Sequence, residues 1–369
     1  DCDNTTFSNS HFEDNFAGVN GGAVDWYKGA HDCTLENATF NNNIANRSGG
    51  AVFWWGNHGT IKNANFTNNS ALGNVMYENS FGINTTGGHG GAIEWYSEKG
   101  LVYNSEFTNN RAYDGGAIYV TGTNTSVINS NFTNTIADHV GGAAYIAGHN
   151  TYITGDSFYN SKSKGTGNTD GGGAMYIVGD GTYVSDSNFT LSDSSRYGGA
   201  IYIAGKNTDI LTSNFIQNHA SSPGGAVYIQ SNLGLNTTVD KCYFFDNSAG
   251  TSAGALHVSG TNTTVNNTVF LKNHGVSQGG AIYIDGINAT VQYSNLTENT
   301  ASTHGGAIYW EGGNGTVYNI TCINNKGPAV GSAIDSHVSS SKGGTICLTG
   351  SNVTVTKSSF EDSFAGVDG

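Results

Sequence analysis

Two acidic residues in the first hundred positions are the strongest candidates for chemistry. Asp25 and Glu94 occupy the same position in two copies of a sequence repeat, with one copy between them. If each copy forms one layer of stacked strands, the carboxylates lie about 10 Å apart, because neighbouring strands are about 4.8 Å apart. Inverting glycosidases hold two carboxylates about 6.5–9.5 Å apart. A site that binds or cleaves sugars is therefore one interpretation.

Aromatic residues around these acids complete a candidate sugar patch. Its members are Asp25, Trp26, Phe53, Trp54, Trp55, Glu94 and Trp95. The alternative interpretation is that two of the 28 acidic residues share a repeat position by coincidence. In that case the tryptophans pack at a corner of the hydrophobic core.

A second candidate is a row of tyrosines, each two residues after a recurring alanine. The row contains Tyr119, Tyr145, Tyr176, Tyr202, Tyr228, Tyr283 and Tyr309, with His257 at the equivalent position of one repeat. These positions alternate with aliphatic residues, so we expect the tyrosines to face outward. The row either stiffens a sheet by ring packing or forms a platform for sugars or a partner.

The remaining polar residues form no catalytic set. A lyase of the pectate-lyase type needs a basic residue beside a calcium-binding acid cluster, and the three arginines, Arg47, Arg111 and Arg196, have no dense acidic neighbourhood. We therefore predict no catalytic residues, no enzyme activity and no cofactor. Calcium stays open as an alternative, because the Asp114-Gly and Asp170-Gly turns offer carboxylates.

A repeat of 26 residues positions all of these side chains. The motif Gly-Gly-Ala-aliphatic recurs, with its alanine at residues 23, 51, 92, 117, 143, 174, 200, 226, 255, 281, 307 and 333. A phenylalanine marker lies between successive alanines, at residues 12, 40, 66, 107, 132, 158, 189, 215, 244, 270 and 360, and Leu296 and Cys322 fill its two gaps. Insertions interrupt the period at 72–91, 161–169 and 331–342.

Short segments of alternating aliphatic residues, separated by Gly and Asn turns, predict three short strands per repeat and no helix. This pattern is typical of an all-β parallel β-helix, in which each repeat is one coil. We expect about 13 coils in one continuous domain over residues 1–369. Asn also recurs three residues after the marker, where stacked amides could bond from coil to coil. These positions are Asn43, Asn69, Asn110, Asn218, Asn247, Asn273, Asn299 and Asn325.

The pairing of Phe-x-x-Asn with Gly-Gly-Ala-Ile resembles the motifs of chlamydial polymorphic outer-membrane proteins. The background rich in Asn and Thr resembles the adhesin-like surface proteins of methanogenic archaea. These resemblances imply a right-handed parallel β-helix in an extracellular, cell-surface protein that acts as an adhesive stalk or filament module. The alternative function is a carbohydrate-binding or carbohydrate-cleaving β-helix of the pectate-lyase-like kind.

Charge and hydropathy exclude other classes. The formal net charge of −14 argues against nucleic-acid binding, which needs clustered Lys and Arg. No run of 18 apolar residues occurs, so no membrane span is predicted. Many Asn-x-Ser/Thr sequons would matter in a glycosylating compartment. The glycosylation candidates are Asn37, Asn65, Asn131, Asn188, Asn262 and Asn352.

The two ends of the sequence echo each other. Residues 12–21 read FEDNFAGVNG and residues 360–369 read FEDSFAGVDG, 348 positions later. We therefore expect the chain to be cut from a longer protein with a super-repeat of that length. The expected partners are another β-helical module or a second copy stacked end to end, together with cell-surface glycans or proteins of a host or partner cell.

Overall fold

Each repeat folds into short strands because apolar and polar residues alternate between turns of Gly and Asn. The computed structural model describes residues 3–73, 76–79, 82–85, 87–327, 334–335 and 344–362. The contacts divide the chain into two units, Asp1–Thr182 and Tyr183–Gly369. In both units, the strands of the repeats pair in parallel with their counterparts one repeat away. The predicted all-β parallel β-helix with a 26-residue period is confirmed.

The first unit contains four parallel sheets, which we name by the residues at their centres. The aliphatic sheet consists of Thr6–Ser8, Thr34–Glu36, Thr60–Lys62, Leu101–Tyr103, Ser126–Ile128 and Tyr152–Thr154. The phenylalanine sheet consists of His11–Glu13, Thr39–Asn41, Asn65–Thr67, Glu106–Thr108, Asn131–Thr133 and Ser157–Tyr159. The short sheet consists of Phe16–Ala17, Ile44–Ala45, Ser70–Ala71, Arg111–Ala112, Ile136–Ala137 and Lys162–Ser163. The anchor sheet, after Gly-Gly-Ala, consists of Val24–Trp26, Val52–Trp54, Ile93–Trp95, Ile118–Val120, Ala144–Ile146 and Met175–Ile177.

The second unit repeats the same four sheets. Its aliphatic sheet consists of Tyr183–Ser185, Asp209–Leu211, Thr238–Asp240, Thr264–Asn266, Thr290–Gln292, Thr316–Tyr318 and Thr354–Thr356. Its phenylalanine sheet consists of Asn188–Thr190, Asn214–Ile216, Tyr243–Phe245, Val269–Leu271, Asn295–Thr297, Thr321–Ile323 and Ser359–Glu361. Its short sheet consists of Asp193–Ser194, His219–Ala220, Ser248–Ala249, His274–Gly275 and Thr300–Ala301. Its anchor sheet consists of Ile201–Ile203, Val227–Ile229, Leu256–Val258, Ile282–Ile284, Ile308–Trp310, Ile346–Leu348 and Ile334–Asp335.

The core of each coil is built from the residues that the repeat predicts. Ile118, Ile201 and Ile282 are buried on the anchor sheets. In the first unit the marker rings stack face to face, with Phe107 and Phe132 centroids 4.7 Å apart and the ring planes 4° apart. This spacing equals the distance between strands, so a phenylalanine at the same position of two adjacent coils stacks directly on its counterpart.

Buried asparagines bond the coils to each other, as the sequence predicts. The Asn247 side-chain amide donates to Asn273 Oδ1 at 2.9 Å and to the Phe215 carbonyl at 2.9 Å. Asn247 Oδ1 accepts from the backbone and side-chain amides of Asn218, both at 2.9 Å. Both donors and both acceptor positions of a fully buried amide are thus satisfied, which removes the cost of burying it.

Glycine is required where the Gly-Gly pair turns the chain into the anchor sheet. Gly115 adopts a φ of 60°, a backbone conformation that residues with a Cβ rarely adopt. A Cβ on Gly116 would collide with the carbonyl oxygen of Gly142 in the next coil. This close approach of backbones explains why the pair recurs in nearly every repeat.

The insertions differ in what the structure describes. Residues 72–91 contain an antiparallel hairpin of Met76–Asn79 with Gly82–Thr85. The insertion at 161–169 includes the strand Lys162–Ser163, which pairs with Ile136–Ala137 in the short sheet. Most of 331–342, and residues 363–369 of the terminal echo, lie outside the described residues. The single continuous domain therefore stays a prediction. Within the described ranges, no helix has the length and apolar character that crossing a bilayer requires.

Replacing Phe132 with Ala tests the stacked core. Phe132 is buried between Phe107 and Phe158, so we expect the free energy of unfolding to fall by about 3–5 kcal/mol, as for other large-to-small core changes. Denaturant unfolding followed by circular dichroism measures the change. Thr133→Ala, on the outward-facing neighbour, serves as the control. A loss for Phe132→Ala no larger than that of the control would contradict the stacked core.

Candidate functional site

Strand alternation divides the candidate sugar patch into core residues and surface residues. Trp26, Trp54 and Trp95 point into the core, and the side chains of Trp54 and Trp95 are fully buried. Trp54 stacks on Trp95 at 4.7 Å, and its indole N–H donates to the Gly56 carbonyl at 2.9 Å. The burial of these three tryptophans agrees with the alternative interpretation that they pack in the core, and a binding role for the patch stays a prediction. They share the inward face with the aliphatic residue two positions earlier in each strand.

The other members of the patch lie on the outer side of the anchor sheet. Asp25, Phe53 and Glu94 are paired in register on three adjacent strands, so Phe53 occupies the position between the two carboxylates. Asp25 is exposed, whereas Glu94 is buried. The acids are two strand spacings apart, as the repeat predicts, but their environments differ. Only Glu94 is removed from solvent.

An exposed set of aromatic rings lies immediately beyond these strands. Tyr27, Trp55 and Tyr96, which we call the aromatic ladder, stack edge to face with centroids 4.9 Å and 5.1 Å apart. Tyr27 is 63% exposed and Tyr96 is 49% exposed, and Trp55 is half-buried between them. The strands end one residue earlier, so the ladder begins the turn and is not covered by the core.

Sequence reasoning named Trp55 but missed Tyr27 and Tyr96. A signal was present, because the fourth residue after the recurring alanine is aromatic in each of the first three repeats. In the next two repeats the same position is Thr121 and Ala147. The change from aromatic to small residues marks where the ladder ends.

A pocket of about 160 Å³ lies on one side of the ladder. Its lining residues are Asn20, Arg47, Ser48, Phe53, Trp55, Glu94 and Tyr96. We call it the Glu94 pocket. The Glu94 carboxylate reaches within 3.8 Å of His89 Nδ1 through Oε1. Among the described residues, no donor lies within hydrogen-bond distance of Glu94 Oε2.

A wider hollow of about 520 Å³ lies on the other side of the ladder. It shares Trp55 and Tyr96 with the Glu94 pocket and adds Lys28, Gly29, His31, Asn57, Ser97 and Glu98. We call it the Lys28 pocket. The ladder thus has polar and charged groups on both sides. Its rings can stack on the apolar face of a ligand ring, and the flanking groups can form hydrogen bonds with that ligand's hydroxyls.

The tyrosine row is built differently from the prediction of an exposed platform. In the first unit, Tyr119 stacks nearly parallel on Tyr145 at 4.5 Å, and Tyr145 on Tyr176 at 5.4 Å. In the second unit, Tyr228, His257 and Tyr283 stack in the same way. Each ring covers the face of its neighbour, so the faces that a sugar would stack on are occupied.

Three tyrosines of the row are buried, in contrast to the prediction that they face solvent. They are Tyr176, Tyr202 and Tyr309. Burial also raises the pKa of the Tyr145 and Tyr228 hydroxyls, because it penalises the charged phenolate. This geometry agrees with the interpretation that ring packing stiffens the sheet; a binding role for the row stays a prediction.

The two aspartates considered for calcium hold a histidine. His139 Nδ1 lies 2.7 Å from Asp114 Oδ1, and Nε2 lies 3.0 Å from Asp170 Oδ1. The hydrogen bond to Asp114 is the main reason that the pKa of His139 is raised. Calcium would have to compete with the imidazole for both carboxylates, and calcium binding stays a prediction.

The six glycosylation candidates are exposed in the structure: Asn37, Asn65, Asn131, Asn188, Asn262 and Asn352. Some of their amides bond to neighbouring coils. Asn63 donates to Asn37 at 3.2 Å, and Asn262 donates to Asn236 at 2.9 Å. A glycan at these positions would replace a surface contact and leave the core unchanged.

Comparisons with known proteins agree with the fold and with the resemblance. The Chlamydia polymorphic membrane protein repeat matches residues 104–121 and 267–285. None of the curated proteins compared with the chain matches it. A PL6 alginate lyase in complex with a trisaccharide is similar over 96% of this chain and 90% of its own, with 12% identity and a TM-score of 0.53. The alginate lyase AlyF-OU02 with G6 has 12% identity and a TM-score of 0.49, over 87% of this chain and 78% of its own. PfbA, a surface adhesin of Streptococcus pneumoniae, has 12% identity and a TM-score of 0.47, over 85% and 82%.

These findings confirm the β-helix fold and the resemblance of residues 104–121 and 267–285 to the polymorphic membrane protein repeat. They also correct the prediction that the module is not an enzyme, because a structure with the same fold over nearly the whole chain is a polysaccharide lyase. The prediction weighed Asp25 and Glu94 as a carboxylate pair across coils, but it found no acidic neighbour for Arg47 and did not place it beside Glu94. Stacked coils bring distant residues together, and Arg47 and Glu94 line one pocket although they are 47 positions apart.

Adjacent tryptophans test the division between core and ladder. Trp54→Ala removes a buried ring and should lower the free energy of unfolding by about 3–5 kcal/mol. Trp55→Ala removes a ladder ring at the surface and should change it by less than about 1 kcal/mol. Denaturant unfolding of both variants measures the difference. Equal losses would show that the two rings are buried alike and would contradict the exposed ladder.

Proposed function

We propose that this chain is a surface, adhesin-like β-helix module that binds carbohydrate along the aromatic ladder and its two flanking pockets. The observation that carries the proposal is a surface row of three rings, with exposed Tyr27 and Tyr96 on either side of half-buried Trp55, between two polar hollows. A row of surface aromatic rings held in fixed positions indicates an interaction site, because exposing apolar surface to water does not stabilise the folded protein.

The ladder has the properties that sugar recognition needs. Its rings are held at the spacing of the coils by a hydrogen-bonded backbone, so little side-chain entropy is lost when a ligand stacks on them. Asn20 and Ser48 on one side, and Asn57 and Ser97 on the other, offer neutral groups that can bond hydroxyls. Because Trp55 and Tyr96 line both pockets, an oligosaccharide lying across the ladder would contact both.

The same proposal includes an extracellular location and a structural role. The matches to a repeat of a chlamydial membrane protein and the exposed sequons support an extracellular module. We propose that it acts as a stalk or filament segment, and that the source is archaeal by its Asn- and Thr-rich composition. End-to-end stacking with another β-helical module, and contacts with proteins of a partner cell, belong to the same proposal.

Binding to immobilised glycans and titration calorimetry with the bound oligosaccharides test the ladder. We expect Trp55→Ala and Tyr96→Ala each to weaken binding at least tenfold, which corresponds to about 1.4 kcal/mol. The matched control is Tyr159→Ala, a tyrosine of the same unit with similar exposure, 46% against 49%, outside both pockets. Failure of the wild-type protein to bind any glycan, or equal loss in the control, would reject the proposal.

Cleavage of a polysaccharide at the Glu94 pocket is a second candidate function. A desolvated carboxylate and a guanidinium line this pocket together, and an acid with an altered environment is what proton transfer to or from a sugar requires. The carboxylate of Asp25 lies one strand beyond Phe53. The similarity to alginate lyases makes uronate polymers the first substrates to test.

Incubation with alginate and a panel of neutral and acidic polysaccharides tests cleavage. If the pocket is catalytic, the wild-type protein releases reducing or unsaturated ends, and Glu94→Gln lowers the rate at least a hundredfold. Glu106→Gln, an exposed acid on the phenylalanine sheet, should keep the rate. Product release that survives Glu94→Gln would place the catalytic groups elsewhere.

A further inference from the structure

Glu94 is an acid in an unusual position for a surface pocket. Its side chain is 7% exposed, although it lies on the outer side of the anchor sheet. The rings of Phe53, Trp55 and Tyr96 line the same pocket and help to exclude water. Glu94 thus lines a small hollow together with three aromatic rings.

The hydrogen bonding of this carboxylate is incomplete. Oε1 lies 3.8 Å from His89 Nδ1, which is longer than a hydrogen bond. Oε2 is buried and, among the described residues, has no hydrogen-bond donor in reach. Burying a carboxylate without donors is costly, so a ligand group that donates to Oε2 gains more here than it would at an exposed acid.

The surrounding rings favour a positively charged donor over a neutral one. The face of an aromatic ring carries negative potential, and a cation near Trp or Tyr is stabilised by it. An ammonium group offers three donors and a full charge, so it satisfies both the carboxylate and the rings. A hydroxyl group would satisfy only the hydrogen bond.

Arg47 also lines the pocket and is positively charged. It repels a positively charged ligand less strongly than its formal charge suggests. Its side chain is partly exposed, although its Nε is buried, so solvent screens part of its charge. Glu94 is nearly removed from solvent, and its field acts mainly inside the pocket. The guanidinium is also a donor that can bond the hydroxyl oxygens of the same sugar ring.

We propose that the Glu94 pocket selects an amino sugar, a hexosamine unit whose ammonium group donates to Glu94 Oε2 while its ring packs against Trp55. This inference rests on the proposed carbohydrate-binding function and specifies its ligand. Neighbouring sugar units would continue across the ladder toward the Lys28 pocket. The selectivity would come from one buried carboxylate, and the ladder would supply most of the affinity.

Calorimetric titration with three oligosaccharides tests the selectivity at a pH where the amine is protonated. The ligands are a glucosamine tetramer, its fully N-acetylated counterpart and an alginate trisaccharide. We expect the glucosamine tetramer to bind at least tenfold more tightly than the acetylated one. Glu94→Gln should remove this preference, so that the two tetramers bind with affinities within about twofold of each other. Glu106→Gln, which changes net charge equally, should keep the preference.

The outcomes separate this inference from the proposed function. Equal binding of the two tetramers, tighter binding of the alginate trisaccharide, or a preference that survives Glu94→Gln would overturn the amino-sugar assignment, even if Trp55→Ala still weakens binding. Absence of binding to all three ligands and to the wider glycan panel would overturn the proposed function as well. Thermal unfolding of each variant confirms that a lost affinity does not come from a lost fold.

Discussion

The parallel register between successive coils is the constraint on which the rest of this structure depends. Each residue lies directly against its counterpart one repeat away, so the chain can use only side chains that pack well against copies of themselves. Phenylalanine does so by stacking its ring faces, as Phe107 and Phe132 show. Asparagine does so because its amide is both donor and acceptor, and Asn247 bonds the equivalent amides in the coils before and after it.

The same register explains why a binding surface arises where the repeat becomes irregular. In most coils the position after the anchor strand carries a small or polar residue, but Tyr27, Trp55 and Tyr96 replace it in three successive coils. Stacking then turns three separate substitutions into one continuous ladder. The flanking pockets are formed by the anchor sheet and by the turns beside it: Glu94 lies on a strand, and Arg47 and Lys28 lie in turns near the rings.

The stacked architecture also means that binding or catalytic residues must be looked for across neighbouring coils. Residues of one site come from different coils, so their separation in sequence is at least one repeat and gives no local motif. The likeness of the fold to that of a PL6 alginate lyase corrects the expectation that the module lacks enzyme activity, and the sequence did not bring Arg47 and Glu94 together. Buried groups such as Glu94 are better guides than sequence spacing, because a buried carboxylate oxygen without a hydrogen-bond donor is costly and is rarely kept without a role.

The sequence alone determined the period, the strand positions and the inward face. Those features follow from local alternation and from glycines that no other residue can replace, as at Gly116. It also placed Asp25, Phe53 and Glu94 on adjacent strands, since a fixed period converts directly into register. Only the tertiary structure decided which of these groups are accessible. It buried Trp54 and exposed Trp55, because the strand ends between them, and it showed that the tyrosines cover one another's faces. Accessibility depends on how coils and turns pack around a side chain, and a repeat pattern contains no information about that packing.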